Sequence, residues 1–194
     1  STPIASSRLG PRKFGNPAFL RYVCRRMAEE LEAALPDDVC RLAERILAAA
    51  KDRGWQLATA ESCTGGLIAG ALTEIAGSSA VVDRGFVTYS NEAKAAMLGV
   101  PPAMIDAHGA VSEEVAKAMA EGALTASQAA LTVAVTGVAG PGGGSAEKPV
   151  GLVHFGCARR GHATQHRRQI FAGDRTAIRR ATVLAALAML QQRL

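Results

Sequence analysis

Two side chains in this sequence, Ser62 and Lys94, have local surroundings that could make them reactive. Ser62 falls in residues 60–66, Ala-Glu-Ser-Cys-Thr-Gly-Gly, where a short apolar strand is predicted to lead into a helix. The free N–H groups and the positive dipole end of a helix start can hold an anion, which suits an oxyanion. Lys94 is predicted in the first turn of a later helix, where the dipole and partial burial both lower a lysine pKa. A lysine with a lowered pKa can act as a base.

Both residues also have a purely structural interpretation. Ser62 or Thr64 could simply cap the helix, and the segment is not the G-x-S-x-G elbow of the α/β-hydrolases. Lys94 could be a surface lysine on an amphipathic helix. Cys63, next to Ser62, is a rival nucleophile. Residue chemistry alone leaves these alternatives open.

Two further segments could bind an anionic group. Residues 136–151 follow a buried-looking strand and are rich in glycine, so successive N–H groups could cradle a phosphate, or the segment could only join two strands. In residues 171–179, Asp174 is predicted to cap a helix that carries Arg175 and Arg179 in its first turns. Either guanidinium could grip a phosphate as a planar fork, or lie exposed to solvent.

The sequence favours neither a metal nor a redox cofactor. His162 and His166 are four residues apart, but in a stretch predicted to be extended, where that spacing does not converge on a metal. The four cysteines form no C-x-x-C pair, which is typical of a protein from a reducing compartment. With no apolar run of about 18 residues and no signal peptide, the chain is predicted to be cytoplasmic and not membrane-bound.

The positive charge is concentrated at one end of the chain. Of the 22 basic residues, six lie within residues 1–26, which hold no acidic residue, and the remaining 16 face 17 acidic ones. The body is therefore almost neutral, and binding to nucleic acid is not expected. Residues 1–26 also show no periodic pattern of apolar residues. We expect a basic arm that is disordered or not part of the natural protein, with a targeting or partner-binding arm as the alternative.

Helical and extended patterns alternate through the rest of the chain, residues 27–194. This order predicts a single α/β domain, a three-layer α/β/α sandwich with a mixed β-sheet. The last helix is apolar over a broad arc, which favours a homodimer or larger homo-oligomer. The predicted helices cover residues 37–53, 67–76, 92–98 after an Asn91 cap, 113–125 and 175–194. The predicted strands cover 55–60, 80–89, 131–135, 150–158 and 164–171.

Four ordered segments resemble the C-terminal domain of the competence/damage-inducible protein CinA family. The resemblance covers about residues 37–194, and it implies an α/β/α domain. Stand-alone members are known as nicotinamide-mononucleotide amidohydrolases, so it also implies removal of ammonia from that nucleotide, giving nicotinic acid mononucleotide for pyridine nucleotide recycling. The segments are Ala-Glu-Ser-Cys-Thr-Gly-Gly at 60–66, Val-Thr-Tyr-Ser-Asn-Glu-Ala-Lys at 87–94, Thr-Gly-Val-Ala-Gly-Pro-Gly-Gly-Gly at 136–144 and Lys-Pro-Val-Gly at 148–151.

The resemblance assigns roles to individual residues. It implies that Ser62 is a nucleophile and Lys94 its base, with Tyr89, Thr136 and an arginine near position 175 shaping the pocket. The oxyanion is then expected on backbone N–H groups of Cys63, Thr64 and Gly65. The ribose phosphate and the rest of the substrate are expected to contact Glu61, Asn91, Gly137, Gly140, Gly142, Gly143 and Arg175.

Two alternatives to this activity remain at this point. The domain could be a catalytically idle partner-binding module linked to competence or DNA damage, although an intact Ser62 and Lys94 argue against decay of the site. A different hydrolase could also use the same residues. Larger CinA proteins carry an N-terminal nucleotide-pyrophosphatase domain, and 194 residues leave no room for one.

Overall fold

A computed structural model describes residues 36–194, of which Asp37–Leu194 form one compact unit. The predicted arm, residues 1–26, lies outside the described residues, and its role stays a prediction. Six α-helices and one 3₁₀ turn, Ser78–Ala80, connect five strands. The helices are α1 (Asp37–Asp52), α2 (Leu67–Thr73), α3 (Asn91–Leu98), α4 (Pro102–His108), α5 (Glu113–Thr125) and α6 (Arg175–Arg193), and the strands are β1 (Leu57–Glu61), β2 (Val82–Val87), β3 (Leu131–Gly137), β4 (Leu152–Arg159) and β5 (Gln165–Ile170).

The strands form one mixed sheet in the order β2-β1-β3-β4-β5. β1 runs parallel to both β2 and β3, while β4 pairs antiparallel with β3 and with β5. All five residues of β1 are buried, as are the first six of β3, because helices cover both faces. On one face of the sheet, α5 packs on β1, β3 and β4, and α3 and α4 pack on α5. On the opposite face, α2 and α6 pack on the sheet, and α1 packs on both of them. The predicted three-layer α/β/α sandwich is confirmed.

Three local features differ from the prediction. α4 was not predicted, although Pro102 at its first position and Gly109 after its end, with φ of 75°, are ordinary helix signals. The cap of α3 is Ser90, whose Oγ accepts from the N–H of Ala93 at 3.0 Å, so Asn91 is the first helical residue. Ser62 was expected at the start of α2, but it lies five residues before it, because α2 begins at Leu67 after the left-handed Gly66, with φ of 98°.

The apolar arc of α6 is used within the chain. Its buried residues face β3, β4, α1 and α2, so they do not supply an uncovered face for a second copy. The apolar arc therefore no longer supports a homo-oligomer, and the oligomeric state stays a prediction. Within residues 36–194, no helix combines the length and the apolarity needed to cross a membrane.

Candidate active site

The candidate site lies at the carboxyl ends of the three parallel strands. Since β1 lies between β2 and β3, the segments that follow these strands meet at one edge of the sheet. Ser62 follows β1, Thr88 and Tyr89 follow β2, and Thr136 is the penultimate residue of β3. This edge is the usual position for ligands in open α/β sheets.

Ser62 and Lys94 are in direct contact there. Lys94 Nζ donates to Ser62 Oγ at 3.2 Å, to the carbonyl oxygen of Thr88 at 2.9 Å and to that of Ser90 at 3.5 Å. The Lys94 side chain is only 1% exposed. Burial lowers the pKa of Lys94, and the nearby Cys63 and Glu92 oppose that shift only in part. The arrangement thus places an amine with a lowered pKa beside a serine hydroxyl.

A buried lysine is costly to the fold unless a carboxylate neutralises it. Among residues 36–194, Lys94 has no carboxylate within ion-pair distance. Its location follows from α3, which begins immediately beyond the end of β2 and is capped by Ser90. Because no ion pair explains its burial, the arrangement favours a functional use of Lys94 over the surface lysine.

Glu61 supports the Ser62 segment from below. Its side chain is fully buried, and its two oxygens accept five hydrogen bonds, three of them from N–H groups at the start of α2. Glu61 therefore replaces the missing cap of α2, and its expected contact with substrate stays a prediction that this structural role does not require. The donors are the hydroxyls of Thr59 (3.1 Å) and Thr64 (2.7 Å) and the N–H groups of Gly66 (3.0 Å), Ile68 (3.0 Å) and Ala69 (2.8 Å).

We expect Glu61→Gln to lower the free energy of unfolding by about 3 kcal/mol, since hydrogen bonds to a charged acceptor contribute roughly 1.5–3 kcal/mol each. The amide would also set an NH₂ group against donors that need an acceptor. Urea denaturation followed by circular dichroism measures the change. Glu74→Gln, at the exposed end of α2, is the matched control and should unfold as the wild type does. Equal midpoints for the two variants would contradict this role of Glu61.

The backbone around Ser62 forms a turn rather than a helix start. The Gly65 N–H donates to the Ser62 carbonyl oxygen at 3.1 Å, with Gly65 left-handed at φ of 62°. Within the described residues, the N–H groups of Cys63 and Thr64 donate to no other residue. The Gly65 N–H is thus used within the turn, and the oxyanion donors stay a prediction, with the N–H groups of Cys63 and Thr64 as the candidates. The predicted helix-dipole contribution is also wrong, because α2 begins at Leu67 and Glu61 occupies its N-terminus.

Cys63 is a poor rival to Ser62 as the nucleophile. Its side chain is buried, and burial raises the pKa of the thiol to about 11. The thiol is the unreactive form of cysteine, so few molecules hold the thiolate near neutral pH. We expect iodoacetamide at pH 7.5 to leave Cys63 unmodified in the folded protein and to modify it in urea, as peptide mass spectrometry would measure. Fast modification of the folded protein would favour Cys63 as the nucleophile.

Arg175, Tyr89 and the glycine-rich segment meet at the same edge of the sheet. Arg175 donates through Nη1 to the Gly140 carbonyl oxygen at 2.9 Å and through Nη2 to the Tyr89 hydroxyl at 3.1 Å. Tyr89 is 63% exposed and Arg175 is exposed, so both remain accessible to a ligand. Three predicted site residues from distant parts of the sequence are therefore brought together.

Other predicted site residues have structural partners or lie apart. Thr136 is buried, and its hydroxyl donates to the Ala110 carbonyl oxygen at 2.8 Å, holding the segment between α4 and α5. Asn91 lines a groove between α3 and α4 whose lining does not include Ser62, Lys94 or Tyr89. Gly137 ends β3, where a Cβ would lie 2.6 Å from the Leu152 carbonyl oxygen. Gly142 and Gly143 are exposed in the segment that follows.

The histidine that His166 contacts is not the one four residues away in the sequence. His166 contacts His154, not His162, with 3.0 Å between Nδ1 of His154 and Nε2 of His166, and Glu113 lies 3.1 Å from the other side of His166. Burial and the neighbouring His166 lower the pKa of His154. Across residues 36–194, no three His, Cys, Asp or Glu side chains are grouped to hold a metal ion.

Sequence reasoning gave Arg179 only as an alternative phosphate ligand. In the structure it reaches the Ser62 turn, and its Nη2 donates to the Thr64 carbonyl oxygen at 2.7 Å. Its spacing of four residues from Arg175 was a usable signal, because residues i and i+4 share one face of a helix. That face of α6 is directed at the candidate site.

Known proteins match this chain along nearly all of its described part. The chain is 52% identical over 155 residues to the nicotinamide-nucleotide amidohydrolase PncC of Escherichia coli K12, a match that covers 80% of this chain and 94% of that protein. It is also 48% identical over 169 residues to a putative competence-damage inducible protein of Symbiobacterium thermophilum, covering 83% of this chain but 38% of the longer relative.

Solved structures and a family model agree with these matches. The competence/damage inducible protein CihA of Agrobacterium tumefaciens is 57% identical, with a TM-score of 0.80, covering 81% of this chain and 96% of that one. A CinA superfamily protein of Escherichia coli is 36% identical, with a TM-score of 0.78, covering 82% and 94%. The model of the CinA C-terminal domain matches residues 39–194. The chain therefore belongs to the CinA C-terminal domain family.

Proposed function

We propose that this chain hydrolyses the carboxamide of nicotinamide mononucleotide to nicotinic acid mononucleotide and ammonia, a step in the recycling of pyridine nucleotides. The observation that carries the proposal is the 3.2 Å contact between Lys94 Nζ and Ser62 Oγ in a site where the lysine is buried. The name and identity of the Escherichia coli PncC relative support the choice of substrate.

The first chemical step is acylation of Ser62. Neutral Lys94 takes the hydroxyl proton while Ser62 Oγ attacks the carboxamide carbon, forming a C–O bond and a tetrahedral oxyanion. The N–H groups of Cys63 and Thr64, which donate to no other described residue, are the donors we assign to that oxyanion. Lys94, now protonated, gives its proton to the departing nitrogen as the C–N bond breaks, so ammonia leaves and an ester remains on Ser62.

The second step returns the enzyme to its starting state. Neutral Lys94 removes a proton from a water molecule as its oxygen attacks the ester carbon, and the same oxyanion donors act again. Collapse breaks the bond to Ser62 Oγ, which recovers its proton from Lys94, and the product leaves as the carboxylic acid and loses its proton to the solvent. The Thr88 and Ser90 carbonyl oxygens hold Lys94 Nζ in place for both transfers. Protons and bonds balance with water as the sole co-substrate.

The nucleotide part of the substrate is assigned to the accessible side of the site. Arg175 joins Tyr89 to the Gly140 backbone, and its guanidinium can exchange these neutral acceptors for a phosphate, to which charged hydrogen bonds are stronger. We assign Tyr89, which is exposed and follows Thr88 in the sequence, to the pyridine ring. The exposed Gly142 and Gly143 supply backbone near the phosphate.

We expect Arg175→Gln to raise KM for nicotinamide mononucleotide by about 10- to 100-fold, the effect of losing a charged hydrogen bond of roughly 1.5–3 kcal/mol. Nicotinamide riboside, which lacks the phosphate, serves as the comparison substrate. The same substitution should leave KM for the riboside within about threefold, because no phosphate contact is lost there. Steady-state ammonia release on both substrates measures the difference. Equal effects on the two substrates would contradict a phosphate role for Arg175.

A further inference from the structure

The first two turns of α6 present two arginines to the site, and they have different surroundings. Arg175 is exposed and holds accessible groups. Arg179, one turn further along, is partly buried behind the Ser62 turn, and its Nη2 donates to the Thr64 carbonyl oxygen at 2.7 Å. A Cβ added at Gly65 would lie 3.6 Å from the same nitrogen. Arg179 thus contacts the backbone of the turn and not the side of the site that faces a ligand.

The contact is the first link of a hydrogen-bond chain that ends at Ser62. The Thr64 carbonyl and the Gly65 N–H belong to one peptide group, and that N–H donates to the Ser62 carbonyl oxygen at 3.1 Å. A guanidinium bound to the carbonyl polarises the peptide group and strengthens the bond on its other side. Arg179 therefore fixes the turn that orients Ser62 Oγ and the free N–H groups of Cys63 and Thr64.

The other atoms of Arg179 indicate that it is not held there by an ion pair. Within residues 36–194 it lies in no salt bridge, and its Nε is buried without a hydrogen-bond partner. An unpaired buried donor costs free energy, and cores usually avoid one. Among the described residues, the guanidinium therefore has no carboxylate at ion-pair distance where it contacts the Ser62 turn.

We propose that Arg179 is a positioning residue that acts through the Thr64–Gly65 peptide to hold the Ser62 turn and its oxyanion donors in reactive geometry. The inference rests on the proposed function, in which Ser62 is the nucleophile. It assigns Arg179 to the rate of the chemical step, whereas Arg175 acts in substrate binding. Arg179 substitutions should therefore lower kcat and leave KM for nicotinamide mononucleotide within about threefold.

A fluorophosphonate probe tests this without any assumption about the substrate. Ser62 Oγ attacks its phosphorus and fluoride leaves, so the second-order rate of phosphonylation reports the geometry of the serine and the oxyanion donors. We expect Arg179→Gln and Arg179→Ala to slow labelling of Ser62 by about 10²-fold, the typical effect of a shift near 1 Å in a reacting group. Adding guanidinium chloride at millimolar concentration should raise the labelling rate of the Arg179→Ala variant at least tenfold.

The matched control is Arg180→Gln, one residue along α6, where the arginine contacts Asp38 at 3.3 Å. It should label at the wild-type rate. Labelling of Arg179→Gln within threefold of wild type would overturn the inference, and so would a loss that follows only the unfolded fraction and is not rescued by guanidinium. A wild type that the probe does not label at Ser62 would instead overturn the proposed function, so the two failures are distinguishable.

Discussion

Replacing Ser62 with alanine is expected to reduce kcat for ammonia release from nicotinamide mononucleotide by at least about 10⁴-fold. The substitution removes the only atom that forms the ester, and loss of a serine nucleophile typically costs 10⁴- to 10⁶-fold. Nucleotide affinity should change little, because the binding groups assigned above lie on Tyr89, Arg175 and the glycine-rich segment. Calorimetric titration and steady-state kinetics together measure this split.

Ser79→Ala, in the exposed 3₁₀ turn, is the control for the Ser62 substitution and should keep wild-type kinetics. If Ser62→Ala retained more than one part in a hundred of kcat while remaining folded, direct attack by water would replace the acyl-enzyme as the better account.

Replacing Lys94 with methionine is expected to reduce kcat by about 10³-fold or more. General base and acid catalysis is typically worth 10²- to 10⁴-fold, and Lys94 supplies both in the proposed mechanism. Burial lowers the pKa of Lys94, and its neutral form is the active base. In the wild type, kcat/KM should therefore rise with pH and level off above the pKa of Lys94, which lies below the ordinary value of 10.5. A pH profile of kcat/KM tests this, and an apparent pKa at or above 10.5 for the rising limb would contradict it.

The same substitution should stabilise the fold. A lysine whose pKa is lowered in the folded state holds its proton more tightly when unfolded, so the charged form favours unfolding at neutral pH. The stability of the wild type should rise as pH increases from the lowered pKa of Lys94 towards 10.5, and Lys94→Met should lack that rise. Urea midpoints at pH 7 and pH 10 for the two proteins measure it. A Lys94→Met protein that is less stable at pH 7 would contradict an uncompensated buried amine.

The periodic segments of the fold were predictable, because burial imposes simple patterns on them. α1 repeats buried residues at helical spacing between Asp37 and Asp52, and β3 is a nearly continuous apolar run because helices cover both of its faces. α4 is only seven residues long and lacks a side-chain cap bond, so its pattern is too short to stand out. Ser62 was wrongly expected at the start of α2, because the left-handed conformation of Gly66, which separates the Ser62 turn from α2, is not revealed by local patterns.

The site was predictable in its reactive residues and less so in its supporting ones. Ser62 and Lys94 lie next to recognisable strand and helix ends, and their contact follows once β1 and β2 are parallel neighbours. The saturation of Glu61 by five donors depends on how α2 turns back over β1, which the sequence does not state. The contact of Arg179 with Thr64 joins positions 115 residues apart, and only the packing of α6 brings them together.

The proposed activity is tested most directly by measuring the product stoichiometry with the full chain in the presence of EDTA. The quantities measured are the ammonia and the nicotinic acid mononucleotide formed per mole of nicotinamide mononucleotide consumed. We expect the wild type to give both products in equal amounts, and Ser62→Ala and Lys94→Met, folded by circular dichroism, to give neither. A folded wild type that releases no ammonia from this nucleotide or from related carboxamides would contradict the amidohydrolase and favour the partner-binding module.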